Sequence, residues 1–355
     1  MLFQSTPPAL PSPPVTATPA LPSTGGDLVA VSGGFGTVQV FQQNSSGSLV
    51  AVSSAISPFS GYYGTLRSAI GDFNGDGTPD LAVTTAAGPT ATVLIYNGKD
   101  FSQLVGPTVV LGGFTGGAFL AAGDINHDGD DELVVGADYG GGPRVTAFNY
   151  SSGSLSAMID LFAFDAPTFA GGARVAAGDI NHDGYADIVV TAGPGGGPRV
   201  STYDGKSATN YQIAKLLPDF FAYDANLRTG AYVAAADLNQ DGYAEIIFSA
   251  DVGGSSRTIA YSGALMTANP NVNPMDLPML YSQYAIPEYT VQGTRVTVKD
   301  LNGDGKNEMI FTTAERTDST LRVITSDQIL SGSQPTNSSQ KPIGDAWDTT
   351  GLYVG

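Results

Sequence analysis

A nine-residue acidic motif recurs five times along this chain, and nothing else in the sequence limits the fold so tightly. It reads DFNGDGTPD at 72–80, DINHDGDDE at 124–132, DINHDGYAD at 179–187, DLNQDGYAE at 237–245 and DLNGDGKNE at 300–308. Successive starts lie 52, 55, 58 and 63 residues apart, a spacing that points to a propeller or solenoid. A small apolar segment such as RVAAGD or YVAAAD precedes each motif, and an apolar run such as LAVTTA or IVVTA follows it. A Gly-rich turn, an alternating segment such as RVTAFNY and a closing apolar stretch such as LFAFD at 161–165 or FFAYD at 220–224 complete the unit. Four short strands per unit, with no helical periodicity, make the blade of a propeller.

The ends agree with this reading. The segment GGDLVAVSGGFGTVQVF at 25–41 enters the repeat at motif position nine, with Asp27 standing where Asp187 stands. The last residues, WDTTGLYVG at 347–355, resemble the lead-in to a first strand, YDANLRTGAYVA at 223–234. The expectation is an all-β, six-bladed propeller of four-stranded antiparallel blades over 25–355, in which the C-terminal strand completes the N-terminal blade. That closure leaves no unpaired edge in the ring. Residues 1–24 carry seven prolines among Ser, Thr and Ala and read as an extended, flexible linker.

Charge excludes several functions. Lys and Arg total 15 against 33 Asp and Glu, a formal charge of −18, which repels nucleic acid and anionic membrane surfaces. The chain has no cysteine, so disulfide and thiolate chemistry are absent. No apolar run approaches the ~18 residues of a membrane span. The N-terminus MLFQSTPPALPSPP lacks the basic start and apolar segment of a signal peptide, so any export signal is expected outside this chain.

Acidic side chains at alternate positions repel one another unless a cation sits among them. Positions one, three and five converge when the chain turns tightly at the glycine of position six, and the position-seven carbonyl and position-nine carboxylate complete an oxygen cage. Hard, partly anionic oxygen donors suit Ca²⁺ better than Mg²⁺, and no soft ligand stands at a donor position. A two-helix calcium loop would need Glu at position twelve, where this chain has Val83, Val135, Val190, Phe248 and Phe311. Turn propensity alone accounts for the Asp, Asn and Gly but not for a carboxylate returning at position nine five times. About five Ca²⁺ ions would bring the formal charge of −18 to −8 and should stabilise a ring that otherwise repels itself. At free Ca²⁺ of ~100 times Kd each site would add about 2.7 kcal/mol. Calcium levels of that kind argue for an extracellular or cell-surface location.

The stretch GGARVAAGDINHDGYADIVVTAGP at 171–194 resembles the FG-GAP repeat of the integrin α-subunit propeller and its bacterial relatives, also called VCBS-type repeats. The resemblance covers about 330 residues and implies Ca²⁺ in the loop joining strands one and two, on the face opposite the usual ligand surface. Carried over residue by residue, the ligands would be Asp72, Asn74, Asp76, the Thr78 carbonyl and Asp80 in the first motif. The second would supply Asp124, Asn126, Asp128, Asp130 and Glu132, and the third Asp179, Asn181, Asp183, Tyr185 and Asp187. The fourth would supply Asp237, Asn239, Asp241, Tyr243 and Glu245, and the fifth Asp300, Asn302, Asp304, Lys306 and Glu308. The chain has six units rather than the seven of integrins, and Asn at position three throughout.

Other residues have plainer readings. YGGGPRV at 139–145 and GPGGGPRV at 193–200 lack the Lys-Ser/Thr of a phosphate loop and read as strand turns. Arg144, Arg199, Arg257 and Arg322 share one repeat position on the face opposite the motif loops. The preferred reading pairs each with an Asp of the next blade, such as Asp165 or Asp224; the alternative is a ring that binds an acidic glycan or protein. His127 and His182 stand at motif position four and read as lone surface residues, and no catalytic set of side chains is evident. Phe162, Phe164, Phe220, Phe221, Tyr223 and Tyr284 are expected to fill the core between blades. The functional expectation is a calcium-stabilised extracellular binding or adhesion module for a protein or glycan, a monomeric domain of a larger protein. A polysaccharide-acting enzyme, lyase or glycosidase, with a funnel active site is the first alternative, though funnel-side candidates look few. A structural spacer of a surface protein is the second.

Overall fold

The computed structural model describes residues 26–33, 35–164, 168–285, 293–313, 321–332, 339–340 and 352–355. Six four-stranded antiparallel sheets form, five of them built from consecutive segments in sequence order from the channel outward. Blade four is representative: strands Ala173–Gly178, Asp187–Ala192, Arg199–Tyr203 and Lys215–Phe221 pair in succession. In blade one the first strand is Tyr353–Val354, paired with Val29–Ser32, so the chain's last strand completes its first sheet as expected. The linker expected over residues 1–24 lies outside the described residues.

The first strands of the six blades line a central channel. They are Leu66–Gly71, Ala118–Gly123, Ala173–Gly178, Ala231–Ala236, Thr294–Lys299 and Tyr353–Val354, each touching the next and the last touching the first. Small side chains suit them because the blades crowd towards the axis. A Cβ added at Gly123 would lie 2.8 Å from the Ala177 Cβ of the next blade. The second strands of blades two to six are buried at every residue, being covered on both faces by adjoining blades. That is why they read as unbroken apolar runs rather than alternating ones. Six apolar clusters fill the six blade interfaces, the largest joining Val189, Leu217 and Phe220 of blade four to Ile246, Phe248 and Tyr261 of blade five.

The outer part of each blade departs from the sequence reading. Strand four starts well before, and ends two residues into, the LFAFD and FFAYD segments taken as the fourth apolar stretch, at Phe162 in blade three and Phe221 in blade four. As the outermost strand it has one wet face, so its side chains alternate. Phe162, Phe221 and Tyr284 are therefore exposed, at 67%, 38% and 48%, while Phe164 and Phe220 are buried and Tyr223 packs part-buried beside them. Two short helices, Gly263–Ala268 and Ser326–Ser331, follow strand three of blades five and six. Ser262 caps the first, and a Thr325–Gln328 capping box starts the second.

Candidate metal loops and the opposite face

Each of the five motifs joins the first strand of its blade to the second, so all five loops stand on one face of the ring. Two left-handed residues turn each loop. Position six is Gly77, Gly129, Gly184, Gly242 or Gly305, as expected, and position four is Gly75, His127, His182, Gln240 or Gly303, also at positive φ. The need for a second left-handed residue was not read from the sequence, although Gly at position four in two motifs signals it.

Positions one, three and five converge as expected. In blade four the Asp183 amide donates to Asp179 Oδ1 at 3.0 Å and Asn181 Oδ1 at 3.1 Å, and the Gly184 amide donates to Asp179 Oδ2 at 2.8 Å. The same bonds recur on Asp72 and Asn74, Asp124 and Asn126, Asp237 and Asn239, and Asp300 and Asn302. Position seven (Thr78, Asp130, Tyr185, Tyr243 or Lys306) donates its amide to the position-five carboxylate of Asp76, Asp128, Asp183, Asp241 or Asp304. The position-three amide group spans the loop: Asn126 Nδ2 donates to both Asp128 and Glu132 at 2.9 Å, and Asn239 to Asp241 and Glu245 at 3.1 and 3.4 Å.

Position nine is sealed inside. Asp80, Glu132, Asp187 and Glu245 are 0% exposed and Glu308 2%. Asp187 accepts from the amides of Ile180 and Gly205, each at 3.0 Å, and Asp80 from those of Phe73 and Gly98 at 3.2 and 2.9 Å. The three Glu residues reach the position-two amide with one oxygen, and in Glu132 and Glu245 the other accepts from the position-three Asn. Burial pushes these carboxyls up, to about 6 in Asp80, about 7 in Asp187 and Glu308, and about 8 in Glu132 and Glu245. Nearby acidic residues of the same loop add to the rise.

Among the described residues no three Asp, Glu or His side chains are gathered tightly enough to hold an ion by themselves. The third donor in each loop is Asn, and the carboxylates turn to backbone amides and, at Asp76, to Lys99 Nζ at 3.0 Å. What the loops do present is an array of hard oxygens with a buried carboxylate at its base, held open by repeated backbone bonds. That donor set fits a hard divalent cation. Blade-to-blade bonds tie the loops into a ring: the position-one carbonyls of Asp72, Asp124 and Asp179 accept from Asp131, Ala186 and Ala244 of the next blade. The histidines belong to this ring rather than standing alone. His182 Nδ1 lies 2.7 Å from the Gly242 carbonyl, and His127 and His182 stack 5.1 Å from Tyr185 and Tyr243 of the following loops.

On the opposite face the rim arginines are engaged, three of the four within their own blades. Arg144 pairs with Asp160 at 2.8 Å, Arg199 with Asp219 at 2.5 Å, and Arg257 donates to Ser282 at 2.6 Å, all on strand four. Arg322 donates to the carbonyl of Ala285 in the preceding blade. The next-blade pairing is thus corrected: Asp224 accepts from the Asn226 amide, and Asp165 lies outside the described residues. Strand-three residues face strand four in register, which puts Asp160 and Asp219 within reach first. The same register sets three of the four rim arginines opposite an exposed aromatic: Arg144 with Phe162, Arg199 with Phe221 and Arg257 with Tyr284.

The channel mouth on this face is more polar than expected. A cavity of about 380 Å³ there is lined by Arg67, Arg174, Arg228, Arg295, Asp138, Asp251 and aromatic side chains. A signal for this lies in the chain itself: Arg67, Arg174 and Arg295 are all the second residue of a first strand, in LRS, ARV and TRV.

Comparison with known proteins places these features. A model of the FG-GAP-like repeat matches residues 26–83, 72–135, 124–190 and 179–248, more than half of the chain. Integrin alpha-V of Gallus gallus is 28% identical over 208 residues, a stretch covering 51% of this chain and 19% of that protein. Integrin alpha pat-2 of Caenorhabditis briggsae is 28% identical over 149 residues, 35% of this chain and 12% of that one. The chain thus spans a fifth or less of the curated relatives it matches. Among solved structures, an Agrocybe aegerita lectin that recognises non-reducing terminal N-acetylglucosamine superposes with a TM-score of 0.47 and 18% identity, over 90% of this chain and 77% of that one.

Proposed function

The chain belongs to the family of FG-GAP-like repeat proteins, and from that premise we propose that it is a calcium-stabilised, extracellular binding module. Its ligand, a protein or a glycan, docks on the face opposite the motif loops. The observation that carries the ligand face is the repeated rim pair. Phe162, Phe221 and Tyr284 stand exposed at one repeat position, each beside an arginine already held in place by its own blade. Exposed aromatics fixed on a rigid scaffold supply contact area at low entropic cost, and arginine supplies directed donors.

Calcium would be held by positions one, three, five and nine of each loop with the position-seven carbonyl, and it would supply charge neutralisation rather than chemistry. The residues themselves hold the loop shape, link neighbouring blades and keep position nine dry. Both mouth aspartates stand by arginines, Asp138 with Arg67 and Asp251 with Arg174, and no described observation favours turnover over binding.

A glycan and surface-protein array probed with the full chain in Ca²⁺ tests the reading. We expect a ligand that is retained by the parent and lost by a Phe162→Ala, Phe221→Ala, Tyr284→Ala triple variant whose melting is unchanged. A full array without a hit supports the spacer instead, and breakdown of an arrayed polysaccharide supports an enzyme.

A further inference from the structure

At the mouth of the channel the second residue of the first strand in blades two to six, together with the first residue of that strand in blade one, forms a belt. In order around the ring these are Arg67, Phe119, Arg174, Tyr232, Arg295 and Tyr353, three arginines alternating with three aromatics. Every neighbouring pair is in contact. Arg67 lies 3.7 Å over Phe119 and 5.1 Å over Tyr353, Arg174 5.3 and 4.3 Å over Phe119 and Tyr232, and Arg295 5.8 and 3.5 Å over Tyr232 and Tyr353. All three arginines are at most 7% exposed. Charged groups that deep need compensation.

Compensation follows a rule with one exception. The arginine of each even blade meets an aspartate just past the second strand of the next blade: Arg67 of blade two meets Asp138 of blade three, and Arg174 of blade four meets Asp251 of blade five. For Arg295 of blade six the equivalent place in blade one, six residues after the position-nine residue, is Gly33. Arg295 instead donates to the main-chain carbonyls of Leu352 at 2.6 Å and Thr313 at 3.4 Å and to the Tyr232 hydroxyl at 3.4 Å, and no described carboxylate pairs with it. Nor are the other two saturated, since Arg174 Nε and Nη1 and Arg67 Nε are buried without a hydrogen-bond partner. Arg228 adds an exposed cation at the lip. Among the described residues four arginines against two aspartates line the mouth, a positive pocket in a protein of net charge −18.

We propose that this mouth binds the carboxylate of a hydroxylated acid of monosaccharide size, a uronic acid free or at the end of a glycan, and that this carboxylate takes the place left by the missing aspartate. The inference rests on the reading of this face as the ligand face. A guanidinium presents paired donors that match a carboxylate. The cavity, about 380 Å³, is of the size of a small-ligand pocket. Asp138, Asp251 and Thr229 beside the arginines offer acceptors for hydroxyl groups, which favours a sugar acid over a peptide carboxylate.

The test is calorimetric titration of the full chain, in Ca²⁺, with galacturonate and with galactose as its neutral match. Galacturonate should bind at least about tenfold more tightly. Gly33→Asp, which supplies the missing carboxylate, should weaken galacturonate about tenfold or more, and Arg228→Ala at the exposed lip should weaken it severalfold without lowering the melting temperature. Equal affinity for the two sugars, or unchanged galacturonate affinity in both variants, overturns the proposal. So does an acidic peptide that binds at the mouth where galacturonate does not. Calcium dependence of the melt is read separately. A chelator-insensitive melt with intact galacturonate binding refutes the calcium reading alone, and a calcium-raised melt with no galacturonate binding refutes this one alone.

Discussion

Asp187 spends both carboxylate oxygens on backbone amides 18 and 7 residues away in sequence, those of Gly205 and Ile180. Asp187→Asn would turn an amide NH₂ against one of those donors inside a dry site. We expect a loss of about 1–3 kcal/mol of stability, read from urea unfolding, and one calcium ion fewer by titration. A fall in stability with the ion count unchanged would make position nine a structural brace only. The Arg144–Asp160 pair gives a pH prediction. The bidentate bond from Arg144 holds the Asp160 carboxyl below the ordinary carboxylate range. A depressed folded pKa adds stability above the unfolded value of ~3.9 and loses it as pH falls through the folded one. Asp160→Asn should therefore lower the unfolding midpoint slightly at pH 7, and the difference should shrink as pH falls below ~3.9. At this scale the donor residues were legible because the spacing repeats in sequence. The position-four struts and the arginine belt were not, because their partners lie one blade away, 51 to 77 residues along the chain.

Between strands the decisive feature is how the ring closes. Leu352 is fully buried, Tyr353 sits in the belt between Arg67 and Arg295, and the Gly355 carbonyl accepts from the Ala30 amide. Removing 352–355 opens an edge along Val29–Ser32 and uncovers the cluster around Val29, Ile310 and Leu321. The truncated chain should melt well below the parent and self-associate in sedimentation; an unchanged melt would mean that the ring is held elsewhere. Near the axis, Gly123→Val would drive a side chain into Ala177 and Ala186, for a cost of about 1–3 kcal/mol. Strand two was readable because burial on both faces leaves an apolar run. Strand four was misplaced because an outer strand alternates, and its wet aromatics look like core when only composition is weighed. The two short helices were missed because six residues are too few to show a helical period.

Taken as a whole, the ring separates two kinds of charge. One face carries five acidic loops stitched edge to edge, and the other carries arginines, most of them paired, around a positive mouth. We infer from this separation that cations enter the loops, since fifteen carboxylates at the motif positions lie along one rim. A thermal melt with and without chelator, with calcium titration on the same sample, tests that claim most directly. The account predicts about five bound ions and a melting temperature raised by several degrees or more; an unchanged melting temperature with fewer than three ions bound would contradict it.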